Sequence, residues 1–214
     1  MTARDVKTKV LCAVIVPLML GGCVNLNKSY PEKRSFALDV GSDHQPTPTA
    51  GSAVLRVSRF RVSPLFAGRA MVYRVGELQY DNDFYNEWLV SPSVLLTQQV
   101  QGWLSKSNRF RFVLTGMNHV EPTHVLDATV TEFYGDYRSG GSPQAVLGVE
   151  IMLLIDDRKD ETVLFRRSYR QEVPLAGRAP DALAAGLSQA ARQVLIDFDR
   201  DLDGVSLEPS PRSR

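Results

Sequence analysis

The strongest structural signal in this 214-residue chain is a series of three segments rich in β-forming residues. They run from Val125 to Tyr134, from Ala145 to Ile155 and from Val163 to Val173, and short polar turns separate them. In the middle segment, every second residue from Leu147 to Ile155 is apolar, which is the period of a strand with one buried face. Strong strands joined by short connections predict an antiparallel meander.

Two helices are predicted to cover the sheet. Ser91 and Pro92 are typical of a helix start, because a hydroxyl can cap free N–H groups and proline suits the first turn, and this helix should end near Ser107. Pro180 opens a second helix that should reach about Leu202. Apolar residues three and four apart give it one buried stripe: Leu183, Leu187, Ala190, Val194 and Phe198.

Shorter strand signals complete the fold prediction. They lie at Ser35–Val40, at residues 53–62, at Ala70–Val75 and at Arg109–Leu114. The length suits one core. We therefore expect an α/β fold: a single compact domain over residues 36–203, with a central mixed, largely antiparallel β-sheet and two main α-helices packed on it. Residues 204–214 contain two prolines and no periodicity, which predicts a flexible C-terminal tail.

Residues 1–22 have the composition of a signal peptide. Three basic residues precede the apolar run Val10–Leu20, which is followed by Gly21 and Gly22. A membrane-spanning helix needs about 20 apolar residues, so this run is too short for a permanent span.

The end of this segment resembles a bacterial lipoprotein signal. Leu20, Gly21, Gly22 and Cys23 match the lipobox, in which the cysteine is acylated, with palmitate among its acyl chains, and becomes the first residue. The alternatives are an ordinary secretory peptide and a buried apolar strand. The resemblance implies that Cys23 is the lipidation site, with no cofactor besides its acyl chains, and that residues 23–35 are a lipidated tether. Val24 in place of aspartate implies the periplasmic face of the outer membrane.

Charge and cysteine usage exclude several classes of function. Twenty-five Lys and Arg residues balance 24 Asp and Glu residues, which predicts no nucleic-acid partner. The two cysteines, Cys12 and Cys23, both lie in the N-terminal segment, so the domain has neither a disulfide nor a thiol nucleophile. No catalytic motif is present. We expect no enzymatic activity; a hydrolase built from dispersed Ser, His and Asp residues is a third hypothesis, behind the two given below.

Two features could suggest a metal, but the sequence predicts none. Asp199, Asp201, Asp203 and Gly204 resemble the first half of a calcium loop, but Ser210 stands where such a loop needs a glutamate. The three histidines, His44, His119 and His124, have no metal-binding spacing.

Basic and aromatic clusters each allow two interpretations. In one interpretation the arginines form a basic surface that binds an acidic partner or lipid head groups. In the other they are strand charges that discourage edge aggregation. They are Arg56, Arg59, Arg61, Arg166, Arg167 and Arg170. The aromatics are either loop residues packed against the core or a docking surface. They are Tyr73, Tyr80, Phe84, Tyr85 and Trp88.

The order of these features resembles the ABC-type transport auxiliary lipoprotein family, of the paraquat-inducible lipoprotein C type. After the lipobox come Ser35–Asp39, Met71–Arg74, and Tyr80–Trp88 before the Ser91-Pro92 helix start. Val75 and Gly76 depart from the family pattern, which often has basic or polar residues there. The resemblance makes Tyr73, Arg74 and Trp88 family-pattern positions, with either a structural role or a role in partner docking.

The resemblance implies a function as well as a fold. Such proteins accompany a mammalian-cell-entry domain protein and its inner-membrane ABC permease in lipid transport between membranes. The sequence thus predicts an outer-membrane, non-catalytic accessory lipoprotein of a (phospho)lipid transport system. The alternative is a structural or assembly lipoprotein of an envelope complex that does not contact lipid. A homo-oligomer is compatible with both hypotheses.

Overall fold

The computed structural model describes residues 32–41, 51–115, 120–156 and 161–208. The signal peptide, the lipobox with Cys23, His44, His119 and the last six residues of the predicted tail lie outside the described residues. From Lys33 onward the chain clusters as one compact unit.

Within the described ranges, this unit consists of a mixed sheet and two helices. Two short 3₁₀ turns, Pro64–Phe66 and Leu202–Gly204, accompany them. The helices are α1 (Pro92–Lys106) and α2 (Pro180–Asp201). The strands are β1 (Arg34–Phe36), β2 (Val54–Val57), β3 (Arg61–Val62), β4 (Ala70–Arg74), β5 (Tyr80–Trp88), β6 (Phe112–Leu114), β7 (His124–Asp136), β8 (Gln144–Asp156) and β9 (Glu161–Pro174).

The predicted meander is confirmed. β8 pairs antiparallel with β7 on one side and with β9 on the other, so that Val149 lies opposite both Val130 and Tyr169. The five residues of the predicted α2 stripe are all buried. The predicted cap of α1 is wrong in its chemistry, because the Ser91 hydroxyl makes no capping hydrogen bond, although Pro92 does occupy the first turn.

The other edge of β7 is paired by three short strands in succession. β2, β3 and β4 all run parallel to β7, and they contact its beginning, middle and end in that order. Residues 54–74 therefore follow β7 as one interrupted strand. β6 pairs parallel with the outer edge of β2, and β5 pairs antiparallel with β4.

The aromatic segment before α1 is a strand rather than the loop that one interpretation expected. β5 spans nine residues and lies between β4 and the edge strand β1, which runs parallel to it. Residues such as Asp81, Asn82 and Asp83 favour turns, so the sequence does not predict a strand here in spite of the neighbouring aromatics.

Both helices pack on the same face of the sheet. A small apolar cavity in the core is lined by α1 through Leu96 and Val100, by α2 through Val194 and Leu195, and by β8 through Ile151. Inward-facing side chains of β7 and β8 complete this core.

Charged residues pair on the opposite face. Arg166 bonds to Glu150 at 3.0 Å, and Arg170 bonds to Glu132 at 2.7 Å and also to Glu172. Arg61 lies 3.9 Å from Asp127. These arginines are compensated by carboxylates, which favours the interpretation as strand charges over a basic surface.

Candidate functional site

Tyr73 and Arg74 end strand β4. Consecutive strand residues point to opposite faces, so these two side chains serve different neighbours. Both are partly buried. Each one fixes an adjacent backbone feature that presents apolar side chains to solvent.

The Tyr73 ring is held by one stacked ring and one carboxylate. It stacks on Tyr137 with centroids 4.9 Å apart and planes 15° from parallel. Its hydroxyl donates a 2.8 Å hydrogen bond to Oδ2 of Asp83. Burial, then the hydrogen bond to Asp83 and the charge of that carboxylate, raises the pKa of Tyr73 well above its usual value. The Tyr73 hydroxyl therefore keeps its proton at physiological pH and donates it in this hydrogen bond.

Asp83 lies in a large bulge of β5. Ala70 pairs with Glu87 and Val72 pairs with Asn82, so the single residue Met71 of β4 faces four residues of β5. We call residues 83–86 the aromatic bulge. Extra residues in one strand of an antiparallel pair bend that strand and re-aim its side chains.

Asp83 closes the aromatic bulge with its own carboxylate. Oδ1 accepts the backbone N–H groups of Tyr85 and Asn86, each at 2.9 Å, and Oδ2 accepts the Asn86 side-chain amide at 2.9 Å besides the Tyr73 hydroxyl. Burial opposes ionisation here, but the hydrogen bonds from Asn86 and Tyr73 outweigh it and lower the pKa of Asp83. The carboxylate is therefore ionised and turned inward.

The aromatic bulge presents two rings to solvent. Phe84 is 71% exposed and Tyr85 is 36% exposed. The two rings meet edge to face, with centroids 5.0 Å apart, which is a favourable aromatic geometry. Nζ of Lys33, immediately before β1, lies 5.1 Å from the centre of the Phe84 ring.

Arg74 shapes the turn between β4 and β5. Its Nε donates to the Gly76 carbonyl at 3.3 Å, and Nη2 donates to the Glu77 carbonyl at 2.8 Å. The turn places Leu78 at its tip, where this side chain is 97% exposed. We call residues 75–79 the Leu78 turn. Arg138 bonds to Glu77 at 3.1 Å and fastens the turn to the end of β7.

Trp88 lies in the core, away from both exposed features. Its side chain is 1% exposed and packs on Phe133, with ring centroids 5.2 Å apart. Its backbone bonds to Arg69 in both directions. Of the two roles open for this family-pattern position, the geometry gives Trp88 the structural one, because so buried a side chain offers a partner no surface.

The structure thus divides the aromatic segment in two. Trp88 and the half-buried Tyr73 and Tyr80 pack inward, whereas Phe84 and Tyr85 face solvent. The sequence had singled out the aromatics but not Leu78. The only available signal for Leu78 was an apolar residue inside the polar turn Gly76–Gln79.

The acidic end of α2 is occupied by arginines. Arg109 bonds to Asp199 and to Asp203, each at 2.5 Å, and Asp201 bonds to Arg167 and to the Tyr169 hydroxyl. These three carboxylates are therefore already paired with guanidinium groups instead of being arranged around a calcium ion. Among the described residues, no group of three or more His, Cys, Asp or Glu side chains could hold a metal.

His124 is buried at the start of β7. Its Nδ1 lies 2.9 Å from the Thr123 hydroxyl, while Nε2 is buried without a hydrogen-bond partner. Burial lowers the pKa of His124, so the ring is neutral near pH 7. The Thr123 hydroxyl also donates to or accepts from the backbone of Val54, so it is part of the local backbone pairing.

One apolar cavity and two open grooves adjoin the helices in the described part of the chain. The apolar cavity in the core measures about 20 Å³. Segment 39–41 lies across the helices, and open, partly polar grooves flank it, about 650 Å³ on the α2 side and about 330 Å³ on the α1 side. Within the described ranges, neither helix is apolar enough over a sufficient length to cross a bilayer.

Comparison with known proteins extends to most of this fold. Residues 36–197 match the family model described as the ABC-type transport auxiliary lipoprotein component. None of the curated proteins matches the chain.

Solved structures share the fold at low sequence identity. A crystal structure of a Xanthomonas campestris protein of the DUF330 family is 20% identical, with a TM-score of 0.67 over 77% of this chain and 91% of that chain. An uncharacterized protein is 20% identical, with a TM-score of 0.63 over 80% and 99% of the two chains. A hypothetical protein from Chlamydia trachomatis is 8% identical, with a TM-score of 0.50 over 72% and 97%. At these identities the likeness shows the fold alone.

Proposed function

Because the chain belongs to the ABC-type transport auxiliary lipoprotein family, we propose that it is the accessory lipoprotein of a mammalian-cell-entry type system that moves phospholipid between membranes. In this proposal residues 1–22 are removed, Cys23 carries the acyl chains, and the protein is anchored at the periplasmic face of the outer membrane. The protein has no catalytic role. The family match over residues 36–197 is the observation that carries the proposal.

The sequence around Cys23 supports the anchor. Leu20, Gly21 and Gly22 precede the cysteine after a short apolar run, and Val24 follows it. Several acyl chains buried in a bilayer hold a protein far more firmly than a single chain would. A labelled fatty acid should therefore appear in the wild-type protein and be absent after Cys23→Ser.

The Leu78 turn supports a docking role. Leu78 is almost fully exposed on a turn that Arg74 and Arg138 hold through hydrogen bonds and an ion pair. An apolar side chain on a fixed backbone loses little conformational entropy when a partner covers it. We propose that this turn contacts the periplasm-spanning mammalian-cell-entry domain protein, and that Arg74 contributes by positioning the turn.

A second candidate is an assembly lipoprotein that holds the envelope complex without contacting lipid. The small core cavity favours it, since about 20 Å³ leaves room for about one water molecule. An acyl chain would not fit there. Mass spectra of the purified protein separate the two candidates, because copurified phospholipid supports contact with lipid and its absence supports the assembly role.

Capture by the purified mature protein tests the proposed partner. The cognate mammalian-cell-entry domain protein should be retained by the wild type and lost or weakened with Leu78→Ser. Val163→Ser is the matched control, because Val163 is 51% exposed on β9, outside the Leu78 turn. Failure of the wild type to retain any cognate candidate would contradict the proposal.

A further inference from the structure

The aromatic bulge is a rigid feature that presents two exposed rings. Four hydrogen bonds converge on the Asp83 carboxylate, and one of them comes from Tyr73, outside the bulge. They fix the backbone that carries Phe84 and Tyr85. Because the two rings are adjacent, they form a continuous apolar patch, which is the kind of feature found at contact surfaces.

The aromatic bulge lies where the N-terminal tether enters the domain. β1 runs parallel to β5 and places Arg34 opposite Asn86, so the chain enters the domain beside the bulge. Lys33 lies directly over the Phe84 ring. Ten residue steps separate Lys33 from Cys23, a reach of at most about 36 Å. A bilayer that holds acyl chains on Cys23 therefore lies within that distance of this edge of the domain.

The chemistry of the bulge suits the surface of a bilayer. Phenylalanine supplies apolar area, and tyrosine combines an apolar ring with a polar tip that remains at the level of the head groups. The charge of Asp83 points inward to its hydrogen-bond donors, and Arg34 is paired with Asp181 at 2.9 Å. The exposed charges beside the bulge are those of Glu32, Lys33 and Asp81, which give no excess of positive charge. Attraction to anionic lipids therefore does not explain a membrane contact here, and the apolar rings would have to supply it.

We propose that Phe84 and Tyr85 insert into the interface of the bilayer that carries the acyl chains, as a second membrane contact beside the anchor. This inference rests on the lipid-anchor part of the proposed function. Acyl chains alone hold the domain near the membrane but leave it free to turn. A second contact at the edge where the tether enters sets which face of the domain points toward the periplasm.

A tryptophan reporter tests this proposal in the lipidated mature protein. Phe84→Trp is reconstituted into phosphatidylcholine vesicles with brominated acyl chains, which quench tryptophan at membrane depth. The native Trp88 and Trp103 are 1% and 3% exposed, so the wild type gives the background emission.

Phe112→Trp is the matched control. Phe112 is 53% exposed and has the Arg111 guanidinium 5.4 Å from its ring centre, much as Phe84 has Lys33. It lies on β6, which pairs with β2 beside the beginning of β7, whereas β5 pairs with β4 beside the end of β7. Leu55 of β2 and Tyr73 of β4 lie opposite His124 and Gly135 of β7, so the two sites are about 36 Å apart along the sheet.

The proposal predicts a blue-shifted, quenched emission for Phe84→Trp and an unquenched one for Phe112→Trp. The quenching should also persist in high salt, because the contact is apolar. Equal quenching of the two reporters would overturn the inference. So would shielding of Phe84→Trp that occurs only when the mammalian-cell-entry domain protein is added, which would assign the bulge to a protein partner.

Flotation of the same vesicles measures membrane association by the lipid anchor, independently of tryptophan quenching. If the protein floats but Phe84→Trp is not quenched, the result supports the lipid anchor and contradicts insertion of the two rings. If the protein does not float but Phe84→Trp is quenched at high lipid concentration, the result contradicts the lipid anchor and supports the membrane contact of the bulge.

Discussion

The hydroxyl of Tyr73 donates a 2.8 Å hydrogen bond to the carboxylate of Asp83, across the irregular pairing of β4 and β5. The sequence singled out Tyr73 by resemblance, and this bond shows what the side chain does in the fold. It fixes the bulge that carries Phe84 and Tyr85. Its neighbour Arg74 fixes the Leu78 turn. Two consecutive residues of one strand thus hold the exposed apolar features that we propose as the contact surfaces.

Removing the Tyr73 hydroxyl should loosen the bulge. We expect Tyr73→Phe to lower the free energy of unfolding by about 1 kcal/mol, since one partly buried hydrogen bond to a carboxylate is lost. Urea denaturation measures this as a lower midpoint with an unchanged slope. Tyr85→Phe is the control, because no hydrogen bond of the Tyr85 hydroxyl is found in the described part of the chain, and it should leave the midpoint unchanged. Equal effects of the two variants would contradict the role of Tyr73.

The stability that Asp83 contributes should depend on pH. Its folded-state pKa is lowered, whereas an aspartate in the unfolded chain titrates near about 3.9. A lowered folded pKa gives stability that is present above the unfolded pKa and lost as the pH falls through the folded pKa. The difference in unfolding free energy between the wild type and Asp83→Asn should therefore be constant from pH 7 to about pH 5 and shrink below about pH 4. A difference that stays constant down to pH 2 would contradict this.

His124 should destabilise the fold in mild acid. Burial lowers its folded pKa, while the unfolded chain takes up a proton near about pH 6.5. Between these two pKa values the unfolded state binds more protons, so stability falls as the pH falls below about 6.5. Melting temperatures of the wild type should drop between pH 7 and pH 5 by more than those of His124→Leu. Parallel curves for the two proteins would exclude His124 as the titrating group.

Two helical glycines should respond in opposite directions to alanine. A Cβ at Gly186 of α2 would lie 2.3 Å from Leu175 Cδ2 and 2.8 Å from the Cβ of Ala145 on β8, whereas a Cβ at Gly102 of α1 meets nothing within 4 Å. We expect Gly186→Ala to cost about 1–3 kcal/mol through overpacking. Gly102→Ala should stabilise by about 0.5–1 kcal/mol, because alanine favours helix. Urea denaturation of the pair checks both signs, and stabilisation by Gly186→Ala would contradict the close packing of α2 on the sheet.

The meander and the helices could be predicted from the sequence because their signals are local. Alternation from Leu147 to Ile155 and the stripe from Leu183 to Phe198 each describe one element and the face that it buries. The parallel run of β2, β3 and β4 along β7 could not be predicted, because it depends on pairing between distant segments.

The candidate site was only partly predictable for the same reason. The aromatic residues were visible, but Asp83 reads as a turn former until its carboxylate is seen to close a bulge inside β5. Burial of Trp88 and exposure of Leu78 are properties of the folded chain, and no periodicity in the sequence encodes them.

Photo-crosslinking in intact cells shows whether the Leu78 turn contacts the proposed partner. A photoreactive amino acid replaces Leu78 in one strain and the exposed Val163 of β9 in another, with the acylated protein in its native envelope. We predict a crosslink from position 78 to the mammalian-cell-entry domain protein of the transporter, and none from position 163. Equal crosslinking from the two positions, or no crosslink to that protein from position 78, would contradict it.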